Sequence, residues 1–193
     1  LCTHLPLVII DTDGADIPGK PIADSYDQET SFTMTSEGES MLRARITVID
    51  SDTHNNHPSD TPDLESEMLI RVRGNSSRYF DKYNYLVRLV DEDGEYQEQE
   101  IMGMEAHYEW AMHGPYLDKS LIRNYMWYNI AGEIMDYAPN VRFCEVIING
   151  EYKGLYVMTE TITNGVESRL NISEPIDGST KTGYLLRLDR GGS

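Results

Sequence analysis

The stretch that decides the reading runs Glu67-Met-Leu-Ile-Arg-Val-Arg-Gly-Asn-Ser-Ser-Arg-Tyr-Phe-Asp-Lys-Tyr-Asn-Tyr-Leu-Val-Arg-Leu89. Met68, Ile70 and Val72 alternate with Leu69, Arg71 and Arg73, and Tyr85, Val87 and Leu89 repeat the pattern. Period-two alternation predicts strand, polar loop, strand. The loop concentrates anion-binding groups. Gly74 can take a positive φ and bring backbone close to a ligand. Successive backbone N–H groups can form a concave nest. Asn75, Ser76 and Ser77 add donors, and Arg73 and Lys82 add positive charge. The plainer reading is a polar hairpin loop with two solvated cations, and these residues alone favour it.

Around that stretch the chain has 193 residues and a formal net charge of −17. That length predicts one domain, or a large piece of one. The acidic balance argues against a nucleic-acid binder, because a phosphate backbone needs a basic face. No apolar run approaches the roughly 20 residues that span a bilayer. The two cysteines permit one disulfide at most, but Cys144 lies in an apolar strand-like run and reads as a buried free thiol.

Upstream, Leu5–Asp11, Ser31–Thr35 and Leu42–Ile49 are strand candidates. The loop from Ser51 to Asp63 holds His54 and His57 among aspartates, which invites a metal reading. A surface insertion is favoured, because no regular spacing brings those ligands together. Downstream, Asp93-Gly94 predicts a turn into a polar strand near Tyr96–Ile101.

Asp118–Met135 reads as one long helix, with Asp118 as N-cap. Ile122, Met126, Ile130 and Ile134 form an i, i+4 stripe, widened by Leu121, Tyr125 and Tyr128, that predicts packing on the sheet. Val141–Ile148 and Tyr152–Thr159 form a hairpin about Asn149-Gly150. Gly154 predicts a bulge or a close backbone approach in the returning strand. Asn164-Gly165 and Asp177-Gly178 mark turns, and Gly183–Asp189 a last strand. The expected fold is α+β: a mostly antiparallel sheet with one long packed helix.

Taken in order, Arg73-Gly-Asn-Ser-Ser77, Lys82 with Tyr85, Trp110, Asp118-Lys-Ser-Leu-Ile-Arg-Asn124, Asn149-Gly-Glu-Tyr-Lys-Gly-Leu-Tyr156, Glu160 and Gly183-Tyr-Leu-Leu-Arg-Leu-Asp189 resemble the CotH kinase family, named for spore coat protein H. The resemblance implies a secreted or cell-surface bacterial protein with a divergent protein-kinase-like fold. It implies ATP with Mg²⁺ or Mn²⁺, and a protein acceptor phosphorylated on Ser or Thr. The present chain would resemble the small lobe. Arg73, Gly74, Asn75, Ser76, Ser77 and Lys82 would meet the phosphates, and Glu160 would begin the hinge. Glu133 is the one helix glutamate that could pair with Lys82, and that pair is left unassigned. The ordinary kinase signatures Gly-x-Gly-x-x-Gly, His-Arg-Asp and Asp-Phe-Gly are missing.

As the resemblance has it, a later helical half carries the catalytic aspartate and a Trp-Asp-x-Asp-like metal segment. Trp110 and Trp127 are not followed by Asp. The expectation is therefore an N-terminal portion that is inactive alone and self-associates through surface that the later half would cover. No catalytic or metal-binding residue is assigned within the chain. The competing class is a non-catalytic binding or structural module of an extracellular assembly. A hydrolase is a weaker third, because the histidines lack a nucleophile elbow and a His-Glu-x-x-His motif.

Overall fold

The computed structural model describes residues 1–22, 31–162, 169, 170, 172, 176–180 and 182–186. The chain divides into two units, Leu1–Thr161 and Ile162–Ser193. In the second, Asp177-Gly178 forms its turn, with the Ser179 N–H donating to the Ile176 carbonyl at 2.9 Å. Gly183–Leu186 take no strand, while Arg187–Asp189 and the Asn164-Gly165 turn lie outside the described residues.

The first unit is a closed barrel. Its strands are β1 (Leu7–Asp11), β2 (Leu42–Ile49), β3 (Leu64–Arg73), β4 (Asn84–Val90), β7 (Glu109–His113), β8 (Val141–Ile148) and β9 (Glu151–Glu160). They follow one another round the ring as β1-β2-β3-β4-β7-β9-β8, and β8 returns to β1. β5 (Gln99–Ile101) and β6 (Met104–His107) form a separate hairpin. All the ring pairings are antiparallel except β1 with β8, where Leu7–Ile10 run alongside Glu145–Ile148. Seven strands cannot alternate direction all the way round a ring, so one parallel seam is unavoidable. Closure gives each of the seven ring strands a neighbour on both sides.

The alternation legible in the sequence sorts side chains between the two faces of the wall. Val8, Ile46, Met68, Ile70, Val87, Trp110, Cys144 and Met158 belong to the interior cluster and are essentially inaccessible. Cys144 is a free thiol whose pKa burial pushes up to about 12, so it is inert and structural. Leu7, Ile9, Ile49 and Ile147 make a smaller cluster where β1 lies between β2 and β8. Ile101, Met102 and Met104 of the β5–β6 hairpin also join the interior cluster. The tight turn of that hairpin has positive φ at Met102 and Gly103, 53° and 69°.

The Asn149-Gly150 hairpin forms as expected, with φ of 51° and 78°. Asn149 does more than turn the chain: its Oδ1 accepts the Thr12 N–H and its Nδ2 donates to Thr12 Oγ1, both at 2.9 Å. This clasp holds the end of β1 against β8. The register of β8 on β9 shifts beside Gly154, which confirms the bulge. Asp93-Gly94 also turns as expected, with the Gly94 N–H donating to the Asp91 carbonyl at 3.1 Å.

The expected sheet with one long packed helix, in the manner of a kinase small lobe, is not what forms. The helix α1 covers only Arg123–Ile134, and none of its residues is buried. Ile122, Met126, Ile130 and Ile134 of the supposed core stripe are 47%, 38%, 39% and 78% exposed. It touches the barrel through Tyr125, stacked on Phe143 of β8 with centroids 4.3 Å apart. The physical reason is closure. Inward side chains from every strand fill the interior, so no bare sheet face remains to demand a helix. The N-cap position falls to Ile122 rather than Asp118, although the Asp118 carboxylate still accepts the Arg123 and Ser120 N–H groups at 2.8 and 3.0 Å. Leu121, at φ 64°, delays the start of the helix. The strand expected at Ser31–Thr35 reduces to a single bridge between Phe32 and Pro21.

Candidate functional site

One mouth of the barrel opens into a cleft of about 590 Å³. It lies where β4 and β9 begin and β8 ends, and its lining includes Lys20, Asp81, Lys82, Tyr85, Tyr116, Tyr152, Lys153 and Tyr156.

Lys82 is the centre of this arrangement. It precedes β4, and its side chain turns over the rim. The ammonium Nζ donates to the Leu155 carbonyl at 2.7 Å and sits 4.6 Å from the centre of the Tyr156 ring. Two glycines make room for it. A Cβ on Gly114 would fall 2.9 Å from Lys82 Cγ and 3.0 Å from the Tyr156 ring. A Cβ on Gly154, which already sits at φ 87°, would meet Lys82 Nζ at 3.3 Å.

Most other charges in the cleft are spoken for. Lys20 pairs with Asp16 at 3.0 Å and Lys153 with Glu151 at 2.6 Å. Asp81 accepts the Tyr116 hydroxyl at 3.1 Å. Tyr152 donates to Glu145, and this bond chiefly pushes its pKa up to about 12. Lys82 has no carboxylate partner among the described residues, so its nearest polar contact is a neutral carbonyl. Burial holds its pKa below the ordinary lysine value, against an upward pull from Glu145. Tyr85 titrates near 12 because burial penalises its phenolate, so it is a neutral donor at physiological pH.

The cleft lining takes in one of the expected site residues. Lys82 lines the cleft, but Arg73, Gly74, Asn75, Ser76 and Ser77 do not. Gly74 does require its glycine: φ is 118°, and a Cβ would collide with Ser77 Oγ. The loop continues into a short 3₁₀ turn, Ser76–Tyr79. Ser77 Oγ is held by the Asn84 amide at 3.2 Å. Arg73, Asn75 and Ser76 face solvent.

Glu160 lies four residues beyond Tyr156 along β9, roughly 13 Å at the usual strand rise. It is buried, and its carboxylate accepts the Asn140 N–H and the Asn140 Nδ2 at 2.9 and 3.1 Å. This is a tie between β9 and the segment before β8, well away from Lys82. Glu133 sits on exposed α1 and makes no bond to Lys82.

Arg78 escaped the sequence reading. It is buried, donates to the Gly74 and Gly19 carbonyls, and stacks its guanidinium 4.1 Å from the Phe32 ring centre. It locks the loop onto the segment that crosses the end of β3. Its Gly19 anchor is 59 positions away, so no local pattern could have revealed it.

Among the described residues no group of His, Cys, Asp and Glu could hold a metal ion. In the loop between β2 and β3, His54 and His57 bond instead to Ser51 and Ser59, at 2.9 and 2.8 Å. No helix among the described residues is long and apolar enough to cross a membrane.

A family model described as CotH kinase protein matches residues 70–191. The chain belongs to the CotH kinase family. No curated protein matches it. The CotH span begins inside β3 and takes in Lys82, Tyr85, Gly114, Gly154 and Tyr156. β1 and β2, which close the barrel, lie before it. Membership in a kinase family implies nucleotide and metal use in general, and a protein substrate.

Proposed function

We propose that this chain is the ATP-binding portion of a secreted or cell-surface CotH-type kinase that phosphorylates protein Ser or Thr, with the nucleotide's phosphates at Lys82. The observation that carries the reading is a half-buried ammonium with no carboxylate partner among the described residues, facing a cleft inside the CotH-matched span. The cleft volume lies within the ~300–1,000 Å³ usual for small-ligand sites. Lys82 supplies the charge that a phosphate oxygen needs. The Leu155 carbonyl and the Tyr156 ring hold the ammonium in place. Tyr83, Tyr85, Tyr116 and Tyr152 offer flat apolar surface and hydroxyls to a base and sugar. The described residues do not fit a divalent cation, so no step is routed through one. Arg73, Gly74, Asn75, Ser76, Ser77 and Glu160 are not needed for this pose.

Calorimetric titration with ATP, with and without Mg²⁺, tests the proposal on the wild type and on Lys82→Met. Binding that weakens about tenfold or more in the variant is expected, the size of one lost charge-assisted contact. Equal affinity in both proteins, or no binding in either, overturns it. Transfer of labelled phosphate to a generic protein acceptor then reports whether bound nucleotide is used.

A further inference from the structure

We infer that Lys153 is a second cation for the nucleotide's phosphate chain, beside Lys82, and that its present partner Glu151 limits how strongly a triphosphate is preferred over a monophosphate. The inference rests on the nucleotide reading of the Lys82 cleft and deepens it by one residue and its acidic neighbour.

The bulge in β9 places Lys153. Across the ladder Ile148 pairs with Glu151, Ile147 with Tyr152, and Val146 with Gly154. Lys153 is therefore the extra residue, with no counterpart on β8. In a regular strand successive side chains point to opposite faces. Here Glu151, Tyr152 and Lys153 are consecutive, and all three line the cleft. A bulge re-aims a side chain in this way. The same irregularity accommodates Lys82. Gly154 follows Lys153 at φ 87°, and a Cβ there would meet Lys82 Nζ at 3.3 Å. The Leu155 carbonyl, one residue on, accepts the Lys82 ammonium at 2.7 Å. Lys153 is thus the chain neighbour of the glycine that Lys82 lies against, about 3.8 Å away between Cα atoms. A flexible four-carbon stem carries its ammonium within reach of an anion already held by Lys82.

The charges point the same way. The chain has five lysines, and three of them, Lys20, Lys82 and Lys153, line this one cleft. In a chain of net charge −17 that is a local concentration of positive charge. Lys153 pairs with Glu151 at 2.6 Å, their side chains 31% and 73% exposed. An ion pair so open on its acidic side is weak. A phosphate oxygen makes the same charge-assisted bond to the ammonium, and a triphosphate carries more charge than one carboxylate. The nucleotide therefore displaces Glu151 from Lys153. A single phosphate is satisfied by Lys82 alone, whereas a longer chain engages both lysines. Glu151 stays in the cleft and repels the added phosphates.

Calorimetric titration of ATP and AMP into the wild type, Lys153→Met, Glu151→Gln and Lys119→Met tests the inference. Lys119 is exposed and does not line the cleft, so its variant controls for the loss of one positive charge. Lys153→Met should weaken ATP about tenfold and leave AMP unchanged. Glu151→Gln should tighten ATP several-fold, again without effect on AMP. ATP affinity in Lys153→Met no lower than in Lys119→Met overturns the role of Lys153, as does an equal loss for ATP and AMP. Unchanged or weaker ATP binding in Glu151→Gln overturns the role of Glu151. In each of those cases a loss of ATP affinity in Lys82→Met leaves the nucleotide reading standing, whereas a wild type that binds no ATP overturns both. An unchanged Tm without nucleotide identifies the folded variants.

Discussion

At the scale of the single residue, Lys82 separates function from stability. Its folded pKa lies below the ordinary lysine value of 10.5, with burial as the chief cause. Below that folded pKa the group is charged in both states, and its burial costs stability. Between the folded and the unfolded values the native state has shed the proton and the unfolded chain has not. Stability contributed by this group therefore rises with pH across that window. Lys82→Met removes the cost. Thermal melts should show the variant at or above the wild-type Tm at pH 7, with the difference shrinking as pH approaches 10.5. A variant clearly less stable at pH 7 would mean that the Leu155 bond and the Tyr156 contact outweigh desolvation.

At the scale of the element, α1 behaves as a surface helix. Its apolar stripe is not core, so Ile130→Asp should change stability by no more than ~0.5 kcal/mol. Met158→Ala, in the fully buried interior of β9, should cost about 2–5 kcal/mol. Urea unfolding of the two variants decides the matter. Equal losses would return the helix to the core. The stripe misled because periodicity records which residues share a face, and says nothing of whether the fold leaves a place for that face. Gly132 within the helix and the short span of regular structure also weaken it as an autonomous element.

At the scale of the whole molecule, the barrel depends on β1 being paired on both sides. In an edge strand, backbone N–H groups point alternately to a neighbour and to solvent, so proline is tolerated at alternate positions. In β1, one set of N–H groups faces β2 and the other faces β8. Val8→Pro and Ile9→Pro should therefore both destabilise, each by about 3 kcal/mol or more. Thermal or urea denaturation of the pair tests closure directly. Tolerance at either position would make β1 an edge and open the barrel.

The sequence by itself determined the local features. The strand alternation of β2, β3, β4, β8 and β9 was legible because inward and outward positions recur every two residues. The turns at Asp93-Gly94 and Asn149-Gly150, the irregularity at Gly154 and the burial of Cys144 were legible for equally local reasons. Lys82 stood out as a cation in an acidic chain. What only the tertiary structure decided involves partners distant along the chain. Lys82 finds the Leu155 carbonyl 73 positions away, and Thr12 is clasped by Asn149 across 137. The β1–β8 seam, the surface fate of α1 and the ties made by Arg78 and Glu160 follow from closure. Closing the ring assigns each residue to the inside, the outside or the rim, and that assignment belongs to no single stretch of sequence.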